Sequence, residues 1–183
     1  MRKVNAIVSM GMFLMFLIHA AMGSLQLAGL IKGGSAAIIG SAFLLFILML
    51  IHIVIGIKLL IDTKKAVGRS GASYFKENKL FWIRRISGAA IVIFMALHVM
   101  YFTGGIKDGV FRFLRFGALQ LTEQLLLVLS VAVHVITNIK PLMLAFGGKD
   151  RRETALDILL VLSAILLLSA AGFVIYFIRW AVF

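Results

Sequence analysis

The chain has no cysteine, a single proline and only seven acidic residues among its 183. The missing cysteines exclude disulfides, thiolate metal sites and cysteine-bound iron–sulfur clusters. One proline leaves the long apolar stretches almost free of a helix breaker. Charge of either sign is scarce: 14% of residues are charged and 62% are hydrophobic, against ~25% and ~45–50% in an ordinary soluble domain. That balance excludes a soluble fold and describes one membrane domain over residues 1–183. The net charge of +12 would suggest nucleic acid in a soluble protein. Here the basic residues cluster between apolar runs, where they mark topology, and no nucleic-acid partner is expected.

Five runs reach the ~20 apolar residues that a membrane span needs: 4–31, 36–61, 81–102, 118–146 and 155–182. The expected fold is therefore all-α, a five-helix transmembrane bundle. The first run resembles a secretory leader, with Arg2 and Lys3 ahead of an apolar stretch and Ala20-Ala21 behind it. A histidine inside that stretch argues for a retained span.

Loop charges set the expected orientation. Arg2 and Lys3 precede the first span. Lys64, Lys65, Arg69, Lys76, Lys79, Arg84 and Arg85, against Glu77, surround the second loop. Lys149, Arg151 and Arg152, against Asp150 and Glu153, mark the fourth. The first loop has only Lys32, and the third has Lys107, Arg112 and Arg115 against Asp108. Positive residues stay inside. The amino terminus and loops two and four are then cytoplasmic, in a multi-pass protein of the cell's inner (cytoplasmic) membrane.

The four histidines fall one to a run, in the first four runs. His52 opens the frame HIVIGIK and His134 opens HVITNIK, so Gly56 and Lys58 are matched by Asn138 and Lys140. Depth follows from the helical rise of ~1.5 Å per residue. His19 lies 16 residues beyond Lys3 and His98 lies 13 beyond Arg85, or about 20–24 Å from the inner face. His52 and His134 each lie 6 residues before Lys58 and Lys140, or about 9 Å from it. Two pairs result: His19 with His98 near the outer side, and His52 with His134 near the inner side.

A histidine within a span is costly and points to function. The ordinary role of a single one is a hydrogen bond to a neighbouring helix. Four in depth-matched pairs suit a ligand that takes two imidazoles from facing helices, twice. Haem b is such a ligand. Zinc or copper would want three or four ligands at one depth. The expectation is two haem b groups in a four-helix core, with His19, His52, His98 and His134 as iron ligands. Small residues beside the histidines (Gly11, Ala20, Ala21 and Gly23; Gly56; Gly88, Ala89 and Ala90; Ala132) suit a flat ring, and equally suit close helix packing. Haem propionates need donors at a membrane face. The candidates are Asn5, Lys58, Trp82, Arg84, Arg85 and Lys140; the basic ones also snorkel and set topology.

These residues resemble a family. Five spans with histidines in the first four look like the diheme cytochrome b membrane anchor of succinate dehydrogenases and fumarate reductases. The segment His52-Ile-Val-Ile-Gly56-Ile-Lys58, with Asp62, is similar to the family's haem-ligating H-x-x-x-G-x-[KR] stretch. Arg85-Ile-Ser87-Gly88 is similar to its R-x-S-G stretch. The resemblance implies a flavoprotein that interconverts succinate and fumarate, and an iron–sulfur subunit, both docked on the cytoplasmic face. It also implies electron relay through the haems to or from a quinone, expected to be menaquinone, in a complex expected to be dimeric. The chain departs from some relatives at Ala132, where they carry glutamate, and in the acid-free loop KGGS. These departures count against a transmembrane proton path of the family type and leave open whether protons cross the membrane with the reaction.

Quinone has two expected places. Glu123 and Gln26 are the candidates at the outer end, Glu123 for proton exchange and Gln26 as a donor to a quinone oxygen. Arg85 and Ser87 are the alternatives at the inner end. Two rival functions stay open: a diheme cytochrome b anchor of a hydrogenase or formate dehydrogenase, and a small non-redox transporter.

Overall fold

The protein is described from a computed structural model, which covers residues 1–71, 78–102, 105–107, 110–113, 115–146 and 152–180. The loop charges at 76, 77, 108 and 149–151 lie outside the described residues, as do residues 181–183. Five helices dominate: α1 (Arg2–Leu27), α2 (Ala36–Ser70), α3 (Lys79–Tyr101), α4 (Ala118–Ala145) and α5 (Arg152–Trp180). All five are long and apolar enough to cross a membrane. The fold is an all-α five-helix bundle.

Local chemistry sets the ends. Ser35 accepts the Ile38 N–H at the start of α2, and Asn78 accepts the Phe81 N–H at the start of α3. Such caps satisfy backbone donors that have no partner in the first helical turn. Before α4, the Gln120 side chain reaches back to accept the Gly117 N–H. The first expected span ran to residue 31, whereas α1 stops at Leu27. Gly29 there takes a left-handed turn at φ +76°, which favours glycine.

The largest difference is in α2. The expected span ended at 61, but the helix continues to Ser70 and is closed by Gly71 at φ +66°. No proline falls between 61 and 70, and the helix runs through Gly68. At ~1.5 Å per residue, 35 residues span about 52 Å, well over the ~30 Å of a bilayer core. Residues 63–70 thus form a largely exposed basic extension carrying Lys64, Lys65 and Arg69.

The third loop holds a short antiparallel ribbon, β1 (Gly105–Lys107) with β2 (Val110–Arg112), in register Gly105 to Arg112 and Lys107 to Val110. Neither strand was legible in a segment that read as loop.

Packing is uneven. α1 packs on α2 and α5, α3 packs on α4, and α4 packs on α5. α1 and α4 touch more lightly, and α2 and α3 share no extended contact. The first four helices therefore run α2–α1–α4–α3 around an axis, with α5 bracing α1 and α4 from behind. The α1–α5 contact is close enough to require glycine. A Cβ on Gly172 would stand 3.1 Å from the Ser24 Cα and 3.2 Å from its carbonyl oxygen. Ser24 Oγ also donates to Ser169 Oγ across that crossing, at 3.3 Å. Small residues of this kind let membrane helices approach and gain dispersion contacts. The outward faces are apolar, with Val54 68%, Leu160 69% and Leu167 71% exposed, as lipid-facing surfaces are.

Candidate functional site

A cavity of about 1970 Å³ lies inside the ring of four helices. Ordinary ligand pockets are ~300–1,000 Å³, so this one has room for two ligands of substantial size. It extends from Lys3, Asn5 and Arg84 at one end of the bundle to Leu27, Phe102 and Phe173 at the other. We call these the basic end and the aromatic end. Its walls are mainly aliphatic and aromatic, and all four histidines line it.

The rings meet in two pairs. His19 of α1 faces His98 of α3, with ring centroids 6.2 Å apart and planes at 76°. His52 of α2 faces His134 of α4, at 6.4 Å and 90°. Each pair joins helices that stand opposite one another around the axis, so both pairs cross the cavity. These are the pairs that the depth arithmetic gives.

Three of the four rings are held at Nδ1 from a neighbouring helix. Ser9 Oγ lies 3.2 Å from His52 Nδ1, and Ser87 Oγ lies 3.2 Å from His134 Nδ1. Ser87 also donates to the Arg84 carbonyl at 3.3 Å, which turns its lone pairs toward the His134 N–H. Gln124 Oε1 lies 2.7 Å from His98 Nδ1. The fourth, His19 Nδ1, is buried without a hydrogen-bond partner. A bond at Nδ1 selects the tautomer and leaves Nε2 as the nitrogen for a ligand. Gly88 supplies clearance: a Cβ there would meet His134 Cε1 at 3.3 Å.

At the basic end the one proline has a positional consequence. Pro141 has no N–H, so the carbonyl four residues back, Thr137, loses its helical donor. Arg84 Nε fills that vacancy at 2.9 Å and ties α3 to α4 just beyond His134. Arg85 reaches the other way, with Nη1 3.5 Å from the Gly56 carbonyl of α2 and its guanidinium 5.2 Å from the Phe81 ring centroid. Of the six expected propionate donors, Asn5, Arg84 and Arg85 line the cavity. Lys58, Trp82 and Lys140 are exposed and do not line it. Lys3 and Asn138, not among those six, do. Asn138 also donates to the His134 carbonyl at 2.7 Å.

The aromatic end is closed by packed rings. Phe113, Phe116, Phe173 and Tyr176 form a buried cluster with Leu27, and Phe102 packs against it. The Phe113 N–H donates to the Tyr176 hydroxyl at 2.8 Å. The Phe102 ring lies 4.2 Å from the His98 ring, centroid to centroid. Arg179 donates to the Ala28 carbonyl at 2.7 Å and fastens the end of α5 to the end of α1.

The candidate quinone residues separate. Gln26 is buried and lines the cavity, and its Oε1 has no hydrogen-bond partner. Glu123 is not on the cavity wall; it lies beside Tyr101 of α3, and its Oε2 is buried without a hydrogen-bond partner. Of the inner alternatives, Ser87 is engaged with His134 and Arg85 lies on the α2–α3 side of the cavity.

Ser9 and Gln124 were missed by sequence reasoning. Ser9 stands 10 residues before His19 and Gln124 stands 10 before His134, and neither spacing points to the histidine that the side chain touches. Among the described residues, no group of three or more His, Cys, Asp or Glu side chains is arranged to hold a bare metal ion. The histidines act in twos. In comparisons with known proteins, no family model, no curated protein and no solved structure matches the chain.

Proposed function

We propose that the chain is a diheme cytochrome b membrane subunit, carrying electrons between a soluble redox partner and a membrane quinone. The observation that carries this reading is the spacing of the two histidine pairs. A metal–imidazole bond is ~2.0–2.1 Å, and a five-membered ring with bonds of ~1.33 Å has its centre about 1.1 Å from each atom. Two imidazoles bound in line on opposite sides of one metal would therefore put their centroids about 6.3 Å apart. The pairs stand at 6.2 Å and 6.4 Å. Such two-ligand clamps in a wide apolar cavity fit a metal that brings its other four ligands in a macrocycle.

Haem supplies a one-electron couple when bound. The chain's part is to position and tune. His19 and His98 would hold one haem, His52 and His134 the other. Ser9, Ser87 and Gln124 orient three of the four rings. Arg84, Arg85 and Asn5, on the cavity wall at the basic end, fit the anionic propionates. The low-dielectric walls exclude water from both centres.

Among diheme anchors we favour that of a succinate dehydrogenase or fumarate reductase. The support is the R-x-S-G stretch. Ser87 is at hydrogen-bond distance from His134, and Gly88 gives that ring clearance. The flavoprotein and iron–sulfur partners would dock at the basic end, on the cytoplasmic face, beside the His52–His134 pair. Quinone would react at the aromatic end, with Gln26 toward the cavity and Glu123 with Tyr101 as the proton-exchanging pair. Quinone reduction consumes protons, so a titratable group there is useful.

Adding succinate to the purified complex tests the partner. Reduction of both b-type centres by succinate supports the reading. Reduction by hydrogen or formate instead selects the rival anchors, and no b-type absorbance at all leaves the transporter. For the quinone end, Glu123→Gln should lose quinone-linked turnover while soluble-dye activity and both spectra persist. Unchanged quinone turnover would move attention to Arg85 and Ser87.

A further inference from the structure

We propose that Gln124 is a positioning residue: its amide oxygen fixes His98 in the Nδ1–H tautomer, presents Nε2 to the aromatic-end haem, and sets that centre's potential apart from its neighbour's. The proposal rests on the haem reading above.

Gln124 is 0% exposed, and it shares full burial only with Leu162 among the large side chains described. An amide is costly to bury unless it is hydrogen-bonded, and a leucine would fill the space without that cost. Gln124 Oε1 is engaged at 2.7 Å with His98 Nδ1, while its Nε2 has no hydrogen-bond partner. The side chain is thus placed for its oxygen. A carbonyl oxygen only accepts, so the ring nitrogen facing it must carry the proton. At 3.2 Å the hydroxyl contacts of Ser9 and Ser87 are longer than the 2.7 Å amide contact and constrain their rings less.

The two halves of the bundle differ at this point. Gln124 stands 10 residues before His134 on α4; the equivalent position on α2, 10 before His52, is Ala42. His19 Nδ1 is the ring nitrogen left without a partner. The aromatic-end pair is therefore oriented from one side only, and by Gln124. An acceptor on Nδ1–H raises the basicity of the ring. A more basic ligand favours the more highly charged, oxidised metal, which lowers the midpoint of that centre.

The experiment is a spectroelectrochemical titration of the purified holo-complex. The aromatic-end centre is identified as the one lost in His98→Ala. Gln124→Leu removes the acceptor and should favour reduction of that centre by roughly threefold to tenfold, the weight of one hydrogen bond. That equals an upward shift of about 30–60 mV at ~59 mV per tenfold for one electron. The basic-end midpoint should stay in place. Gln124→Glu keeps an oxygen at the same reach and should hold the midpoint at or below its native value. Three results overturn the proposal: an unmoved midpoint in the leucine variant, equal shifts of both centres, or a rise in the glutamate variant matching that in leucine. Where the leucine variant loses the haem, retention in the glutamate variant supports the role and loss in both overturns it. A native complex without b-type absorbance would overturn the haem reading itself, before any variant is made.

Discussion

Each end of the cavity holds one pair of facing histidines, and the two ends differ in nearly everything around it. Ring separations are 6.4 Å at the basic end and 6.2 Å at the aromatic end. The basic end surrounds its pair with two hydroxyls and two guanidiniums. The aromatic end surrounds its pair with phenyl rings, one amide and one ring nitrogen that lacks a partner. On the haem reading, the contrast separates ligation from tuning. Helix register sets the histidine spacing; the neighbouring side chains set charge, solvent access and ring orientation. Positive charge beside the basic end favours the less positive, reduced state of a centre there. Closure of the other end by packed rings would keep a centre there dry.

The largest expected effect breaks the comparison at one end only. His52→Ala or His134→Ala should remove the basic-end haem and spare much of the other, and His98→Ala should do the reverse. Haem quantitation per chain would fall from about two to about one in each case. Loss of the same single haem in His52→Ala and His98→Ala would defeat the pairing.

Next in size is the α1–α5 crossing behind the aromatic end. Gly172→Leu places bulk where a Cβ already meets backbone at 3.1 Å. Overpacking of this kind costs about 1–3 kcal/mol, so the unfolding midpoint in detergent should fall. The basic-end spectrum should survive at temperatures where the aromatic-end spectrum is lost. Simultaneous loss of both would show one cooperative core instead of two separable ends.

The Arg84 tie sharpens the other side. Arg84→Met leaves the Thr137 carbonyl unsatisfied, at a cost of about 1–3 kcal/mol. Pro141→Ala restores the N–H that the carbonyl lacks. In that background the same Arg84→Met change should cost measurably less, by equilibrium unfolding of all four proteins. Equal costs in both backgrounds would mean that Arg84 is not the stand-in donor.

Smallest is Tyr176→Phe, which removes the acceptor of the Phe113 N–H. A loss of about 1 kcal/mol, the low end of the cost of removing one partner of a buried hydrogen bond, is expected, with both spectra unchanged. A spectral change would place Tyr176 nearer the chemistry than the rings suggest.

The fold was largely legible, for a physical reason. Each apolar run is long enough to span, the segments between runs carry charge or glycine, and a bilayer leaves the backbone little choice but helix. The histidine pairs were legible because depth along a helix is a count of residues. What was not legible depends on rotation about the helix axis. A serine in an apolar helix ordinarily bonds its own chain, as Thr137 does to the Val133 carbonyl at 2.8 Å. Nothing in the local sequence marks Ser9 as reaching His52 instead. Gln124 is hidden beside Glu123, whose charge draws attention although the amide is the residue that touches a histidine. The link from Pro141 to Arg84 joins residues 57 apart through a vacancy in the backbone ladder, which only the packed structure displays. The overrun of α2 to Ser70 was missed because hydropathy ends where charge begins, while helix propensity continues.

The central claim is that two histidine pairs hold two haems in one chain, and its most direct test is counting. The purified protein, reduced and oxidised, should show b-type bands, and haem extracted from a known amount of chain should give about two per chain. Substitution of any one of the four histidines should lower that number. A native protein with no haem, or one whose haem content is untouched by replacing His19, His52, His98 and His134 together, would contradict the account.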